Sequence, residues 1–350
     1  MKKNEQRRCD VLQYLVDEYI KNREAVSSKL ICEKYLPDNS SATIRIDLNL
    51  LEKENLIYQP HTSAGRVPTI RGYREYLEMV CPQLNKTEYQ NVTLLRNLLV
   101  QYYRDTPMAL HYIMQLLAKE TDQLSFVAEP QVSYGYLEHL DVFHISRNKL
   151  LFVVSLDSGL DKTVILKTEN EISPRQLRII VKHINEELVG LRIYDIQNKY
   201  LQEIQDKFGK ESILFKNFLR GLHNALIEMS GYFIHFDGSV KFLEQPEFDD
   251  RHAILNFLSF IQRQDSLINL MQRHELKGEC TILMGEDLIR PELAEYALVY
   301  ARYDIYGVPG YLGILGPVRM DYRKNITLVR DFARTITETT KKGMMVTRNG

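Results

Sequence analysis

The chain lacks three features that would place it at once in a simple class. Its 350 residues carry 45 Lys and Arg against 46 Asp and Glu, so any nucleic-acid contact must come from a local patch and not from bulk charge. No apolar run approaches the roughly 20 residues that a bilayer span needs, and no apolar segment follows the charged N-terminus, as a secretory signal requires. We therefore expect a cytoplasmic protein without a membrane partner.

Cysteine is also scarce. The four cysteines, Cys9, Cys32, Cys81 and Cys280, are too few and too scattered for a disulfide framework or a zinc cage. We expect neither a metal nor a cofactor. A hydrophobic content of 44% and a charged content of 26% are ordinary for a globular protein. The length suits two or three domains at roughly 150 residues each.

The first 80 residues predict a small helical unit. Apolar side chains recur at helical spacing in residues 9–20, 29–35 and 42–54, and serines that can cap a helix precede the second and third segments. A short strand-like segment, 56–58, and a loop with proline near both ends, 59–69, follow. This order of helix, helix, capped helix, strand, loop and strand is typical of a winged helix-turn-helix.

The third helix carries the side chains that suit a recognition helix. The N-terminal turn of such a helix meets base edges in the major groove, where Ser41 and Thr43 are short enough to approach. Arg45 can bond guanine with both arms of its guanidinium, and Ile46 could lie against a thymine methyl. A plain amphipathic helix with a solvated polar face is the alternative interpretation.

The segment that follows this helix is basic. Residues 56–74 contain three arginines and one histidine and no Asp or Glu, although an ordinary polar turn remains the alternative. Backbone N–H groups and hydroxyls at the loop tip suit phosphate oxygens. Together the helix and the loop predict these DNA-binding residues: Ser40, Ser41, Thr43, Arg45, Ile46, Asn49, His61, Thr62, Ser63, Gly65, Arg66 and Arg71.

The rest of the chain alternates between helices and strands. Strands are predicted within 137–167 and again within 280–315, with a mostly helical block between them. A hairpin is predicted at Asp237-Gly238-Ser239, between strands 232–236 and 240–243. The pattern favours one α/β domain interrupted by an insertion, but two consecutive α+β domains would give much the same pattern.

Three further clusters invite a chemical interpretation, and each has a simpler one. Glycine recurs every third residue from Gly307 to Gly316, but no Gly-Lys-Ser/Thr ending follows, so a strand is favoured over a nucleotide loop. His139 and His144 would point to opposite faces of a strand. The acidic pair Asp249 and Asp250 suits a helix N-terminus better than acid–base catalysis. We therefore expect no enzyme.

Several short motifs lie in order along almost the whole chain: Ser41-Ala42-Thr43-Ile44-Arg45, Leu51-Glu52, residues 56–69, Gly72-Tyr73-Arg74, Gln245-Pro246-Glu247-Phe248-Asp249-Asp250 and Gly316-Pro317-Val318-Arg319-Met320-Asp321-Tyr322. Together they resemble the motifs of the HrcA family of heat-inducible transcription repressors. Ile46 stands where that family usually has asparagine, so the resemblance does not define the base that this position contacts.

The resemblance implies an α+β multidomain protein and a dimeric negative regulator of transcription. Its parts would be an N-terminal winged helix-turn-helix (1–82), a GAF-like domain in two pieces (83–172 and 275–345) and an inserted α+β dimerisation domain (173–274). The homodimer would bind double-stranded DNA at an inverted-repeat operator upstream of chaperone operons. The GroE chaperonin would keep it active, and heat stress would inactivate it. The alternative is a small-molecule sensor or enzyme built on the GAF-like domain, with an accessory winged helix.

Overall fold

The computed structural model combines helices and sheets, as the sequence predicts. It describes residues 3–61, 64–84, 89, 92–102, 105–168, 171–203, 213–230, 233–262, 264–274, 278–288, 293–305 and 307–347. These residues form three parts, which we call the N-terminal unit, the core and the insert.

The N-terminal unit is a helical bundle with a short hairpin. Ser27 and Ser40 cap the second and third helices, since each hydroxyl accepts from a backbone N–H three residues on. Val11, Leu15, Ile31 and other apolar side chains fill its centre. The elements are α1 (Lys3–Asn22), α2 (Ser28–Tyr35), α3 (Ser41–Lys53), β1 (Ile57–Tyr58), β2 (Val67–Pro68) and α4 (Ile70–Leu84).

The core is a five-stranded antiparallel sheet covered by helices on both faces. Alternate residues of its strands contribute to two different apolar clusters: Leu298 and Tyr300 to one, Val299 and Ala301 to the other. This burial on both faces explains the near-continuous apolar run that the sequence shows there. The strand order is β7 (Ile234–Asp237), β3 (Leu124–Ala128), β10 (Val308–Pro317), β9 (Tyr296–Ile305) and β8 (Thr281–Met284).

In the residues that the structure describes, six α-helices belong to the core. They are α5 (Val92–Gln101), α6 (Thr106–Thr121), α9 (Ser239–Leu243), α10 (Arg251–Gln262), α11 (Gln264–Arg273) and α12 (Tyr322–Thr347). Helix α12 packs against β9 and against α5 and α6, and helices α9, α10 and α11 surround the aromatic side chains of the second cluster, which is the one that contains Leu298 and Tyr300.

The insert is a three-stranded antiparallel sheet with helices on one face. Leu150, Phe152 and Val154 point towards the helices, and the residues between them lie on the open face. Its main elements are β4 (Leu137–Ser146), β5 (Lys149–Leu156), β6 (Asp161–Lys167), α7 (Pro174–Leu188) and α8 (Ile213–Met229). Helix α7 begins directly after Ser173, which caps it, and the cap includes a reciprocal bond with Gln176.

Strand pairing divides the chain at other points than the boundaries expected from the resemblance. The expected boundary at 172/173 lies inside the insert, between its sheet and its helix α7. The strand β7, which the expectation placed in the inserted domain, pairs with β3 of the core. Non-local pairing of this kind is not encoded in hydrophobic periodicity.

The predicted hairpin at 237–239 is wrong in its second arm. Residues 234–237 form a strand, but Ser239–Leu243 is a helix that begins directly after Gly238, whose φ is 83°. Phe242 is fully buried against Phe248 and Phe257, while Val240 is 72% exposed. Packing of one aromatic ring into the second cluster therefore overrides the local turn signal.

The strand interpretation of the glycine-rich segment is confirmed. Gly310, Gly313 and Gly316 lie in β10, which pairs with β9 and β3. A Cβ atom on Gly313 would lie 2.3 Å from the Val299 carbonyl oxygen, so the sheet needs glycine there. Within the described ranges, no helix has the length and apolar character needed to cross a membrane.

Candidate nucleic-acid interface

Helix α3 has one face fixed in the N-terminal unit. Ile44, Leu48 and Leu51 are almost fully buried, as the predicted seam requires. Asp47 is buried as well, and its carboxylate accepts from Arg7 of α1 at 2.7 Å. This hydrogen bond raises the pKa of Arg7 above its ordinary value. A charged pair between α1 and α3 therefore fixes the rotation of α3 about its axis.

The opposite face of α3 is open to solvent. We call it the outward face, and it consists of two rows of side chains spaced four residues apart. The polar row is Arg45, Asn49 and Lys53, and the apolar row is Ala42, Ile46 and Leu50; all six are exposed. Among the described residues, Arg45 has no hydrogen-bond or ion-pair partner.

The hydroxyls at the start of α3 are engaged within the unit. Ser40 Oγ accepts from the Thr43 N–H at 3.1 Å and lies 2.8 Å from Thr43 Oγ1. Ser41 Oγ lies 3.2 Å from Ser28 Oγ of α2. These three predicted site residues thus form the helix cap and the α2–α3 turn, and they lie beside the N-terminal end of the outward face.

Arg66 is turned towards α3 and away from solvent. Its side chain is 14% exposed, its Nε donates to Glu52 at 3.0 Å, and its guanidinium also reaches Asn49 at 3.3 Å. Its backbone pairs with Val26 through hydrogen bonds of 2.9 and 2.8 Å. The Arg66 side chain therefore holds the hairpin against the recognition-type helix.

The backbone pairing between Arg66 and Val26 requires glycine at position 65. A Cβ atom at this position would lie 2.5 Å from the carbonyl carbon and oxygen of Val26. The loop tip is closed by local bonds: the His61 carbonyl accepts from the Ala64 N–H at 2.8 Å, and Gln59 donates to the Ala64 carbonyl at 2.9 Å. The His61 side chain is exposed. The predicted residues Thr62 and Ser63 lie outside the described residues.

Much of the local positive charge seen in residues 56–74 is neutralised by distant acids. Arg66 pairs with Glu52, and Arg74 donates to Asp287 of the core at 3.0 Å. Arg71 is exposed, and in the described part of the chain nothing pairs with it. Within the part of the chain that the structure describes, Arg45 and Arg71 are thus free to meet an anionic partner in this region, and Lys53 is exposed about two turns along α3 from Arg45.

The N-terminal unit is fastened to the core by a polar junction that sequence reasoning missed. The buried Asp331 of α12 accepts from Arg330 at 2.9 Å and from the Tyr89 N–H at 2.6 Å, and Arg330 donates to the Leu84 carbonyl at 2.7 Å. These bonds hold the connection between α4 and α5. The sequence signal, an adjacent Arg-Asp pair inside an amphipathic helix, is too common to have revealed it.

A second set of polar contacts crosses the same junction. Tyr76 of α4 donates to Asp17 at 2.6 Å, and Arg323 of α12 donates to the Tyr76 oxygen at 3.2 Å. Burial, together with the nearby Asp17 carboxylate, raises the pKa of the Tyr76 hydroxyl well above its ordinary value. The hydroxyl therefore stays protonated and continues to donate.

The two downstream motifs meet each other in space. Arg319 binds Glu247 through two parallel bonds of 2.6 and 2.7 Å, and both side chains are mostly buried. Asp321 caps α12 by accepting from the Lys324 N–H. The charged motif before α12 is thus tied to the core through Arg319, whereas Arg323 reaches the N-terminal unit.

Comparison with known proteins decides the family. Residues 108–326 match the model described as the HrcA protein C terminal domain. A protein of Natranaerobius thermophilus named heat-inducible transcription repressor HrcA is 32% identical over 332 residues, which cover 95% of each chain. The chain belongs to the HrcA family.

Two further comparisons, one with a relative and one with a solved structure, also cover nearly the whole chain. An HrcA relative named in the same way, from Symbiobacterium thermophilum, is 27% identical and covers 95% of this chain and 97% of its own. A crystal structure at 2.2 Å resolution, described only as a hypothetical protein, has a TM-score of 0.62 and 24% identity and covers 96% of this chain. The fold of that crystal structure therefore matches nearly the whole chain.

A cleft of about 810 Å³ lies between the N-terminal unit and the core. Its lining includes the Arg323–Asp17 pair, the Lys241–Asp122 pair and the ion-paired Arg319. Much of the charge in the cleft is thus already paired within the protein. The Arg323–Asp17 pair thus links the core to the N-terminal unit across this cleft.

Proposed function

We propose that the N-terminal unit is a winged helix-turn-helix that binds operator DNA, and that the protein represses transcription of chaperone operons until heat stress. The observation that carries the proposal is the outward face of α3. Arg45, Ile46 and Asn49 are exposed there, while the opposite side of the helix is fixed by Ile44 and by the Asp47–Arg7 pair. A helix held rigidly on one side and open on the other suits the major groove.

In this proposal the two parts of the interface have different tasks. Arg45 reads guanine through two parallel hydrogen bonds. The hairpin 57–68 follows the phosphate backbone beside the groove. Its residue His61 and Arg71, at the start of α4, lie nearest to phosphate in this proposal. Arg66 positions the hairpin through Glu52 and Asn49, because its guanidinium is mostly buried in that contact.

The proposed repressor is a homodimer, since an inverted-repeat operator matches a protein with two-fold symmetry. The open face of the insert sheet supports a self-contact. Phe143 and Ile165 are 53% and 55% exposed on that face, and Leu151 lies between them in register on the central strand. An apolar row of this kind on a sheet favours association with another surface.

We further propose a domain division that follows the strand pairing. The GAF-like domain would be the core sheet with its helices, and the dimerisation domain would be the insert between β3 and β7. The division moves the expected boundaries 172/173 and 274/275 towards residues 130 and 233. Limited proteolysis should cut first near these new limits if they separate folded parts.

The partners follow from the family. We propose that the GroE chaperonin maintains the active fraction, and that the protein works in the cytoplasm as a regulator and not as an enzyme. Adding purified chaperonin to a gel-shift assay should raise the bound fraction of DNA. No change over a range of chaperonin ratios would remove this partner from the proposal.

A gel shift with inverted-repeat and scrambled duplexes at two salt concentrations tests the main proposal. At the higher salt concentration the protein should stay bound to the inverted repeat, whereas its binding to the scrambled duplex should fall steeply. The scrambled complex depends on phosphate contacts only, and these weaken as the salt concentration rises. Equal affinity for both duplexes at both salt concentrations would contradict a sequence-specific repressor.

A further inference from the structure

The outward face of α3 is half apolar, which a purely solvated helix face does not explain. The apolar row is Ala42, Ile46 and Leu50, and Ile46 at 61% and Leu50 at 37% are both open to solvent. The polar row is displaced towards the hairpin, where Arg66 reaches Asn49. The apolar row thus faces the side of the groove that lies away from the hairpin.

Large exposed aliphatic side chains gain free energy when a partner covers them. Ile46 lies between Ala42 and Leu50, one turn away on either side, so the three form one continuous apolar strip along the helix. The neighbouring row carries the cations Arg45 and Lys53, which suit an anionic partner. The partner must therefore present negative charge and apolar surface side by side.

Duplex DNA presents this combination in the major groove. The only apolar group on a base edge there is the C5-methyl of thymine, and short apolar side chains contact it. We propose that the apolar row reads thymine, with Ile46 covering a thymine methyl one turn along α3 from the base that Ala42 faces. This inference rests on the proposed function, and it assigns Ile46 as a specificity-determining residue.

The test uses the full-length protein and duplexes that it selects from a random library. Each thymine of the selected sequence is replaced in turn by uracil, which pairs identically but lacks the methyl group. Loss of one buried methyl per half-site should weaken binding about fourfold, and roughly 15-fold when both half-sites change. The effect should appear at symmetric positions of the inverted repeat and not at every thymine.

Variants connect the effect to the apolar row. Ile46→Ala should bind the thymine and uracil duplexes within about twofold of each other, since the covering side chain is gone. Leu258→Ala, which removes an exposed aliphatic group from the distant helix α10, should keep the full difference. Arg45→Ala should weaken both duplexes by the same factor and keep their ratio.

The outcomes separate the two levels of the proposal. Specific binding with no uracil sensitivity at any position, or with a sensitivity that Ile46→Ala retains, overturns thymine reading and leaves the repressor function intact. Failure to enrich any duplex from the library overturns the DNA-binding function, and thymine reading with it. Uracil sensitivity that disappears only in Ile46→Ala supports both.

Discussion

Charged side chains are exposed on the outward face of α3, whereas they are buried and paired at the polar junction between the N-terminal unit and the core. At the junction, Asp331 is fully buried and accepts from three donors of the described residues, namely Arg330, Arg334 and the Tyr89 N–H. On the outward face, Arg45 is exposed and has no partner within the described ranges. A charge that is satisfied inside the molecule positions a part, whereas a charge left free can serve an external partner.

The comparison changes the role of the hairpin arginine. Arg66 lies in the segment that sequence reasoning assigned to phosphate binding, yet its side chain resembles the junction arginines in being mostly buried and paired. Whether an acidic side chain pairs with an arginine therefore indicates its role better than its position along the chain does.

The largest effect is expected from breaking the junction. Asp331→Ala removes the carboxylate that lies 2.9 Å from the buried Arg330, while Glu279 stays 4.0 Å away. Loss of one partner of a buried pair typically costs about 3–5 kcal/mol of unfolding free energy. Urea unfolding measures it. Glu338→Ala in the same helix removes an exposed partner of Arg96 and should cost less than about 1 kcal/mol. Equal losses in the two variants would contradict the structural role of the junction.

The next largest effect is expected from Arg45 on the outward face of α3. Arg45→Ala should weaken operator binding by about 1–3 kcal/mol, which is more than it weakens binding to random DNA, and should leave the unfolding free energy nearly unchanged. Arg45→Lys keeps the charge and should therefore keep the salt dependence while losing most of the preference for the operator. An operator affinity that Arg45→Ala does not change would remove base reading from this residue.

A smaller effect distinguishes a positioning role of Arg66 from a phosphate contact. If Arg66 positions the hairpin through Glu52, then Glu52→Ala should weaken DNA binding by up to about 1 kcal/mol, and Arg66→Ala should add little to it. If Arg66 instead binds phosphate, then Glu52→Ala should strengthen binding, since it frees a cation and removes an acid. A double-mutant cycle of DNA affinities measures the coupling.

The smallest effect is expected at the exposed edge of the junction. Arg74 and Asp287 are 48% and 32% exposed, so their ion pair is screened by solvent. Arg74→Ala should lower the unfolding free energy by less than about 1 kcal/mol. Thermal denaturation of Arg74→Ala and Asp331→Ala side by side measures the difference. A loss of unfolding free energy as large as that of Asp331→Ala would contradict the inference that solvent screening weakens the Arg74–Asp287 pair.

The sequence predicts local structure well where capping and periodicity agree. Ser40 caps α3, and its apolar residues Ile44, Leu48 and Leu51 are buried, as the capping serine and the helical spacing predict. It fails where one distant contact decides the outcome, as Phe242 does for α9. Partners far apart in sequence also explain why the pairing of β7 with β3 was not foreseen.

The candidate site shows the same division. The exposure of Arg45, Ile46 and Asn49 follows from helical periodicity alone. The inward turn of Arg66 and Arg74 depends on Glu52 and Asp287, which an acid count over residues 56–74 does not include. Local charge thus indicates the proposed interface, but it does not predict which of its arginines are paired within the protein.

Site-specific photo-crosslinking tests most directly whether α3 enters the groove. A benzophenone side chain replaces Asn49 on the outward face or, in a control, Leu258 on α10, in the full-length protein with a selected inverted-repeat duplex. If α3 enters the groove, we expect efficient crosslinks to bases of each half-site from position 49 and none above background from position 258. Crosslinks absent at position 49, in a protein that still binds the duplex specifically, would contradict it.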